Sequence, residues 1–140
     1  MHDAQVEMAE RLEGLIRAQM VPGEELLGML TASDTKLFTQ QMYAIGVTPG
    51  RLVMVPVSLR WQAKGEPYAI TKDEVVATSE SQLTTGGDGD SFDPGITVGS
   101  KVKIRTSGGR KLKLIPNDVG TFPGGGTGAF RLWLDEAQRA

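Results

Sequence analysis

The chain has no cysteine and a single histidine, His2, in 140 residues. The first absence excludes disulfides, thiolate nucleophiles and thiolate metal sites. The second leaves serine and threonine hydroxyls without the imidazole that usually activates them, and no motif supplies a lysine or carboxylate base instead. No apolar run approaches the ~20 residues of a membrane-spanning helix, and no leader-like basic flank and apolar segment opens the chain. The expected compartment is therefore cytoplasmic. Aromatic residues make up only 6% of the chain, and none stands among the cations of 101–113. Single-strand binders normally use aromatic stacking platforms, so nucleic acid is not an expected partner. An enzyme is the least expected class, and no cofactor or metal is implied. The acids Asp73 and Glu74 read as solvated charges at the start of a strand.

What is present is a chain long enough for one domain with one core, with an ordinary apolar share of 39% and 18 unevenly placed glycines. Asp3 is placed to cap a helix running to about Met20. Gln5, Met8, Ala9, Leu12, Leu15, Ile16 and Met20 gather on one side, opposite Glu7, Glu10, Gly14 and Arg17. Glu7–Arg11 and Glu13–Arg17 are i,i+4 pairs in the favourable order. Val21-Pro22-Gly23 ends this segment, because proline lacks the amide donor.

Beyond it the period changes from helical to alternating. Leu26–Leu30 reads as a first strand, and Thr31–Gln41 as a loop or short turn pinned by Leu37-Phe38. Tyr43, Ile45 and Val47 alternate with small or polar residues, as in a half-buried strand. Pro49-Gly50 predicts a turn with glycine at positive φ, and Leu52–Val57 predicts a core strand. Tyr68–Ile70 and Val75–Thr78 continue the series. Thr84–Gly99, rich in Gly, Asp and Ser, reads as a long mobile loop. Lys101–Arg105 and Lys111–Ile115 form the clearest hairpin, around Ser107-Gly108-Gly109. A glycine-rich stretch, Gly120–Gly128, leads into a closing helix from about Ala129, with Trp133 in the core. Strands in series closed by a helix predict a mainly β fold: a curled antiparallel sandwich or partly open barrel with an added N-terminal helix. The boundary falls between residues 1–22, the helix, and 23–140, the β domain.

Charge is segregated. Residues 1–30 hold six acids against Arg11 and Arg17, whereas 101–113 hold six cations and no acid. Lys101, Lys103, Arg105, Lys111 and Lys113 all point to one side of the predicted hairpin, opposite Val102, Ile104, Leu112 and Leu114. Such a row attracts phosphates or carboxylates. It also serves to blunt a sheet edge against aggregation, and the solvated reading is preferred. The acidic helix offers a third possibility, pairing with this face within or between chains. Trp61, between Arg60 and Lys64, is a contact candidate if exposed and an edge-packing residue otherwise. Gly124-Gly125-Gly126-Thr127-Gly128 lacks the lysine of a phosphate-binding loop and reads as a hinge with Thr127 as cap. Asp88, Asp90 and Asp93 lack the glycine and closing glutamate of a calcium loop, and read as solvated.

The segments GEELLGML, MYAIGVTPGRLVMVPV, GEPYAITKDEVVATS and KVKIRTSGGRKLKLI resemble the bacterial pleckstrin-homology-like domains over about Gly23–Ile115. The matching elements are Gly23-Glu24-Glu25, Thr48, Arg51-Leu52, Pro67-Tyr68-Ile70 and Gly109-Arg110-Lys111-Leu112-Lys113-Leu114. Pro49-Gly50 departs from the family's usual acidic-basic pair at that turn. The resemblance implies a bent two-sheet β structure capped by a helix, and no catalysis. Many eukaryotic members bind phosphoinositides through a basic first loop, but here Lys36 has no further cation before Arg51, so that property is not carried over. The expected function is a non-catalytic binding or assembly module for protein partners, its own copies among them. Peripheral binding to anionic lipid through the basic hairpin is the alternative.

Overall fold

A computed structural model describes residues 2–35, 40–85, 96–119 and 126–139. Within them the chain runs α1 (His2–Arg17), β1 (Gly28–Thr35), β2 (Gln40–Val47), β3 (Arg51–Val57), β4 (Tyr68–Thr71), a 3₁₀ turn (Lys72–Glu74), β5 (Val75–Thr85), β6 (Ile96–Thr106), β7 (Lys111–Asp118) and α2 (Gly126–Arg139). These strands form one antiparallel sheet in the order β4-β3-β2-β1-β7-β6-β5. The sheet curls into a half-barrel with α2 packed on it. This is the mainly β, helix-closed architecture that the alternation predicted.

Each face of the sheet carries its own core. On the inner face Leu30, Ile45, Leu52, Met54, Ile70, Ile104 and Leu114 pack with Phe130 and Trp133 of α2. On the outer face Ala9, Leu12 and Ile16 of α1 pack on Met29, Ala44, Val53, Val55 and Val57. The helical stripe read from the sequence is thus buried against its own sheet, with Leu12 and Ile16 fully covered. Because β1–β3 are covered on both sides, β3 reads as a continuous apolar run instead of alternating.

Two close approaches fix the helices. A Cβ on Gly46 would collide with the Ile16 side chain, so only glycine lets α1 settle on β2. A Cβ on Gly126 would strike the Met29 carbonyl, so the first turn of α2 lies directly on the β1 backbone.

Several boundaries differ from expectation. Helix α1 runs from His2, so Asp3 lies within the helix and not at its cap. It ends at Arg17, and Gln19 and Met20 tighten into i→i+3 turns before proline is reached. β1 is not Leu26–Leu30 but Gly28–Thr35, and Thr31–Thr35 and Gln40-Gln41 are strand, not loop. The weakly patterned TASDT segment is held because β2 and β7 flank it on both sides, so ladder bonding overrides local preference. Likewise β5 extends to Thr85 and β6 starts at Ile96, because each completes the other's ladder. Gly50 lies outside the positive-φ region. The Thr48 side chain closes that turn instead, its hydroxyl accepting from the Arg51 amide at 3.1 Å. Thr127 is not a cap but lies inside α2, and its amide donates to Asp118 Oδ1 of β7 at 2.8 Å. Lys36, Leu37-Phe38, Asp88, Asp90, Asp93, Gly124 and Gly125 lie outside the described residues.

Candidate binding face

The register of β6 and β7 sets the basic face. Val102 pairs with Leu114 and Ile104 with Leu112, all four buried on the inner side. The alternate residues then point outward: Lys103 stands directly opposite Lys113, and Arg105 opposite Lys111. Lys101 occupies the same face two residues before Lys103, paired with Ser81 of β5. All five residues singled out from the sequence are therefore together on one face.

None of these five joins an ion pair among the described residues. Three of the six acids of the N-terminal segment are committed elsewhere. Glu7 pairs with Arg11 at 3.8 Å, Glu13 with Arg17 at 2.6 Å, and Glu24 with Arg51 at 2.7 Å. Helix α1 rests on β2 and β3, at the other half of the outer face. Arg110, the sixth cation of 101–113, is also engaged, with its guanidinium 3.7 Å from the Tyr68 ring centre.

Beside the cations the face drops. The outward positions of β5 opposite Arg105, Lys103 and Lys101 are Ala77, Ser79 and Ser81. Their small side chains leave an open trough of about 320 Å³, lined by Ala77, Ser79, Lys103, Arg105, Lys111 and Lys113 among others. The alternation of Lys and Arg was visible in the sequence. The shelf beside it was not, because nothing local shows which strand flanks a hairpin.

The topology also removes the edge-protecting explanation of these charges. β6 and β7 are interior strands, and the sheet edges are β4 and β5. Those edges have their own safeguards. β4 is four residues long, β5 is irregular between Val75 and Ala77, and its Glu80 points inward to meet Arg131 of α2 at 2.9 Å. Arg131 also donates to Ser100 Oγ at 2.8 Å, and a second cavity of about 340 Å³ lies between this strand and α2.

Trp61 is remote from the basic face. It sits in the β3–β4 connection at φ 61°, half-buried against the outer core. Its amide donates to the Ser58 carbonyl at 2.9 Å, and this tight turn leaves Leu59, not Trp61, projecting, with 80% exposure. Asp73 and Glu74 lie in the 3₁₀ turn capped by Thr71, Asp73 accepting from the Thr71 hydroxyl at 2.6 Å and Glu74 from the Thr71 amide at 3.1 Å. Among the described residues no three His, Asp or Glu side chains converge to hold a metal ion, and no helix is long and apolar enough to cross a membrane.

A second polar cluster escaped the sequence reading. Arg51 grips Glu24 with one edge of its guanidinium, Nε donating at 2.7 Å and Nη2 at 2.8 Å to the two carboxylate oxygens, and Nη2 also donates to the Gln19 carbonyl at 2.9 Å. Thr48 Oγ1 lies 3.0 Å from Glu24. The Arg51 hydrogen bonds, reinforced by the Val21 amide and Thr48, hold the Glu24 carboxyl down at about 2. The residues are those of the Gly-Glu-Glu, Thr and Arg-Leu motifs, and together they tie the end of α1 to the β2–β3 turn.

Comparison with known proteins finds no matching family model and no matching curated protein. Among solved structures, the crystal structure of the C-terminal domain of an unknown protein from Leishmania infantum is similar in fold. Its TM-score is 0.56 at 15% identity, over 91% of this chain and 98% of that one.

Proposed function

We propose that the chain is a non-catalytic binding and assembly module of the bacterial pleckstrin-homology-like kind, which engages another protein through the outer face of β5–β7. One observation carries this reading: five cations stand together on interior strands with no internal counter-charge among the described residues. Two like-charge pairs sit directly opposite each other, an arrangement that destabilises a sheet unless something anionic lies over it. Self-association remains one form of this reading. However, the apolar stripe of α1 is buried on its own sheet and Glu7, Glu13 and Glu24 are paired within the chain, which leaves Glu10 and Glu25 as the exposed acids of that segment that a second copy would offer. Light scattering at about 20 mM and about 500 mM salt tests the self-assembling form. A mass that rises as salt falls supports it, and a monomer under both conditions restricts the partner to a different protein.

The same five cations favour a second reading, peripheral attachment to anionic lipid. Each Lys or Arg near an anionic leaflet contributes up to ~1 kcal/mol, so a coplanar group suffices without a pocket. Sedimentation with and without phosphatidylserine in the vesicles tests it. Equal recovery in the supernatant removes it.

A further inference from the structure

We propose that the trough on the β5–β7 face takes an extended acidic segment of a partner protein, with its carboxylates on alternate residues. The inference rests on the protein-binding reading above and specifies the ligand of that site.

The argument begins with spacing. Along β6 the cations fall at Lys101, Lys103 and Arg105, and along β7 at Lys111 and Lys113. Residues two apart on a strand are about 6.8 Å apart, and an extended peptide repeats its own side chains on one face at that same distance. A segment lying along β6 with acids at every second residue meets a cation at each step. A helical ligand does not match, because its same-face neighbours recur at three and four residues.

Width gives the second argument. Lys103 faces Lys113 and Arg105 faces Lys111 across the ladder, so two of the three steps offer two cations, about 5 Å apart at Cβ. One carboxylate between them relieves a like-charge pair. On the other side Ala77 and Ser79 keep the wall low, which gives the peptide backbone room to lie down. The trough lining contains no aromatic residue, so neither base stacking nor an aromatic membrane anchor is available there.

The test uses the whole chain and two fluorescent dodecapeptides of equal composition, one alternating Glu with Thr and one with its Glu residues in a block. Anisotropy is expected to show the alternating peptide bound at low salt, about threefold tighter than the block peptide, and released by added salt. The double variant Lys103→Gln, Lys113→Gln is expected to bind about tenfold more weakly while melting no lower than the parent. A variant at exposed cations off this face, Arg60→Gln with Lys64→Gln, is expected to bind like the parent. Equal affinity for both peptides overturns the alternating ligand while leaving a protein-binding face. Unchanged affinity in the Lys103, Lys113 variant also overturns it, by placing the site elsewhere. No peptide binding, with the chain pelleted by vesicles of about one-third phosphatidylserine in phosphatidylcholine, overturns both the inference and the protein-binding reading. No binding to peptides or vesicles overturns the inference.

Discussion

Arg51 and Glu24 form the one partly buried, two-pronged ion pair described in the chain, with side-chain exposures of 23% and 11%. A bidentate fork in that setting is worth more than the exposed pairs on α1. Its pH dependence follows from the depressed Glu24 carboxyl, which titrates at about 2 in place of 4.5. The unfolded chain takes up the proton first, so this stabilisation is fully present above about pH 4.5 and disappears as the pH falls towards 2. In Glu24→Gln, the loss of stability between pH 5 and pH 2 is expected to be shallower than in the parent, as measured by urea unfolding at stepped pH. An identical slope would refute the assignment.

The cations of β6 and β7 present the opposite case, charges that cost stability where they stand. Lys103→Glu places a carboxylate opposite Lys113 and should raise the unfolding free energy by about 0.5 kcal/mol at low salt, with the gain shrinking as salt is added. The same change should weaken binding of an acidic peptide. Movement of stability and binding in opposite directions is the signature expected of residues kept for a ligand rather than for the fold.

At the scale of elements, helix α1 and strand β2 are matched by Gly46, whose missing Cβ receives Ile16. Gly46→Ala should push α1 outward and cost about 1–3 kcal/mol by overpacking, with the loss read in chemical denaturation. The basic face, two strands away and not touched by α1, should keep its peptide affinity. Ile16→Ala should cost about 2–4 kcal/mol for the opposite reason, a cavity over Met29 and Ala44. If the two substitutions left stability unchanged, α1 would not be docked on the sheet as described.

The elements also differ in how far they could be read from the chain. The β6–β7 hairpin was legible down to its faces, because Val102, Ile104, Leu112 and Leu114 alternate with cations, and a one-residue slip would bury the charges. β2 and β3 were legible for the same reason. β1 and β5 were legible only at their first residues, up to Leu30 and over Val75–Thr78, since Thr31–Thr35 and Ser79–Thr85 carry little alternation, and the strand state of these parts comes from partners distant in sequence. Glu24 and Arg51 are 27 residues apart, and nothing in either neighbourhood announces the other. Asp34 read as a loop residue, yet it is buried within β1 between Gln41 and Leu114.

For the molecule as a whole, the sheet has two outer halves with different fates. The half over β2 and β3 is covered by α1 and is apolar, whereas the half over β5–β7 is open and cationic. The helix could not cover the second half without burying unpaired lysines, which would carry a large desolvation cost. Removing residues 2–17 should therefore expose Met29, Ala44, Val53, Val55 and Val57. The truncated chain is expected to bind a hydrophobic dye or aggregate, with the parent as control. A truncated chain as monodisperse as the parent would show that the outer core does not need α1.

The sequence by itself determined the amphipathic helix, the alternating strands and the grouping of Lys101, Lys103, Arg105, Lys111 and Lys113 on one side of a hairpin. Each of these depends on periodicity within a dozen residues, where side-chain direction is fixed by backbone geometry alone. Only the tertiary structure decided where that hairpin sits. The pairing of β1 with β7 joins residues at least 80 positions apart, and it turns β7 from an edge into an interior strand, as the pairing with β5 does for β6. The pairing of β5 with β6 sets Ala77 and Ser79 beside the cations and opens the trough. Such pairings depend on which long-range ladder satisfies the most backbone groups and buries the most apolar surface, a property of the whole chain and of no single stretch of it.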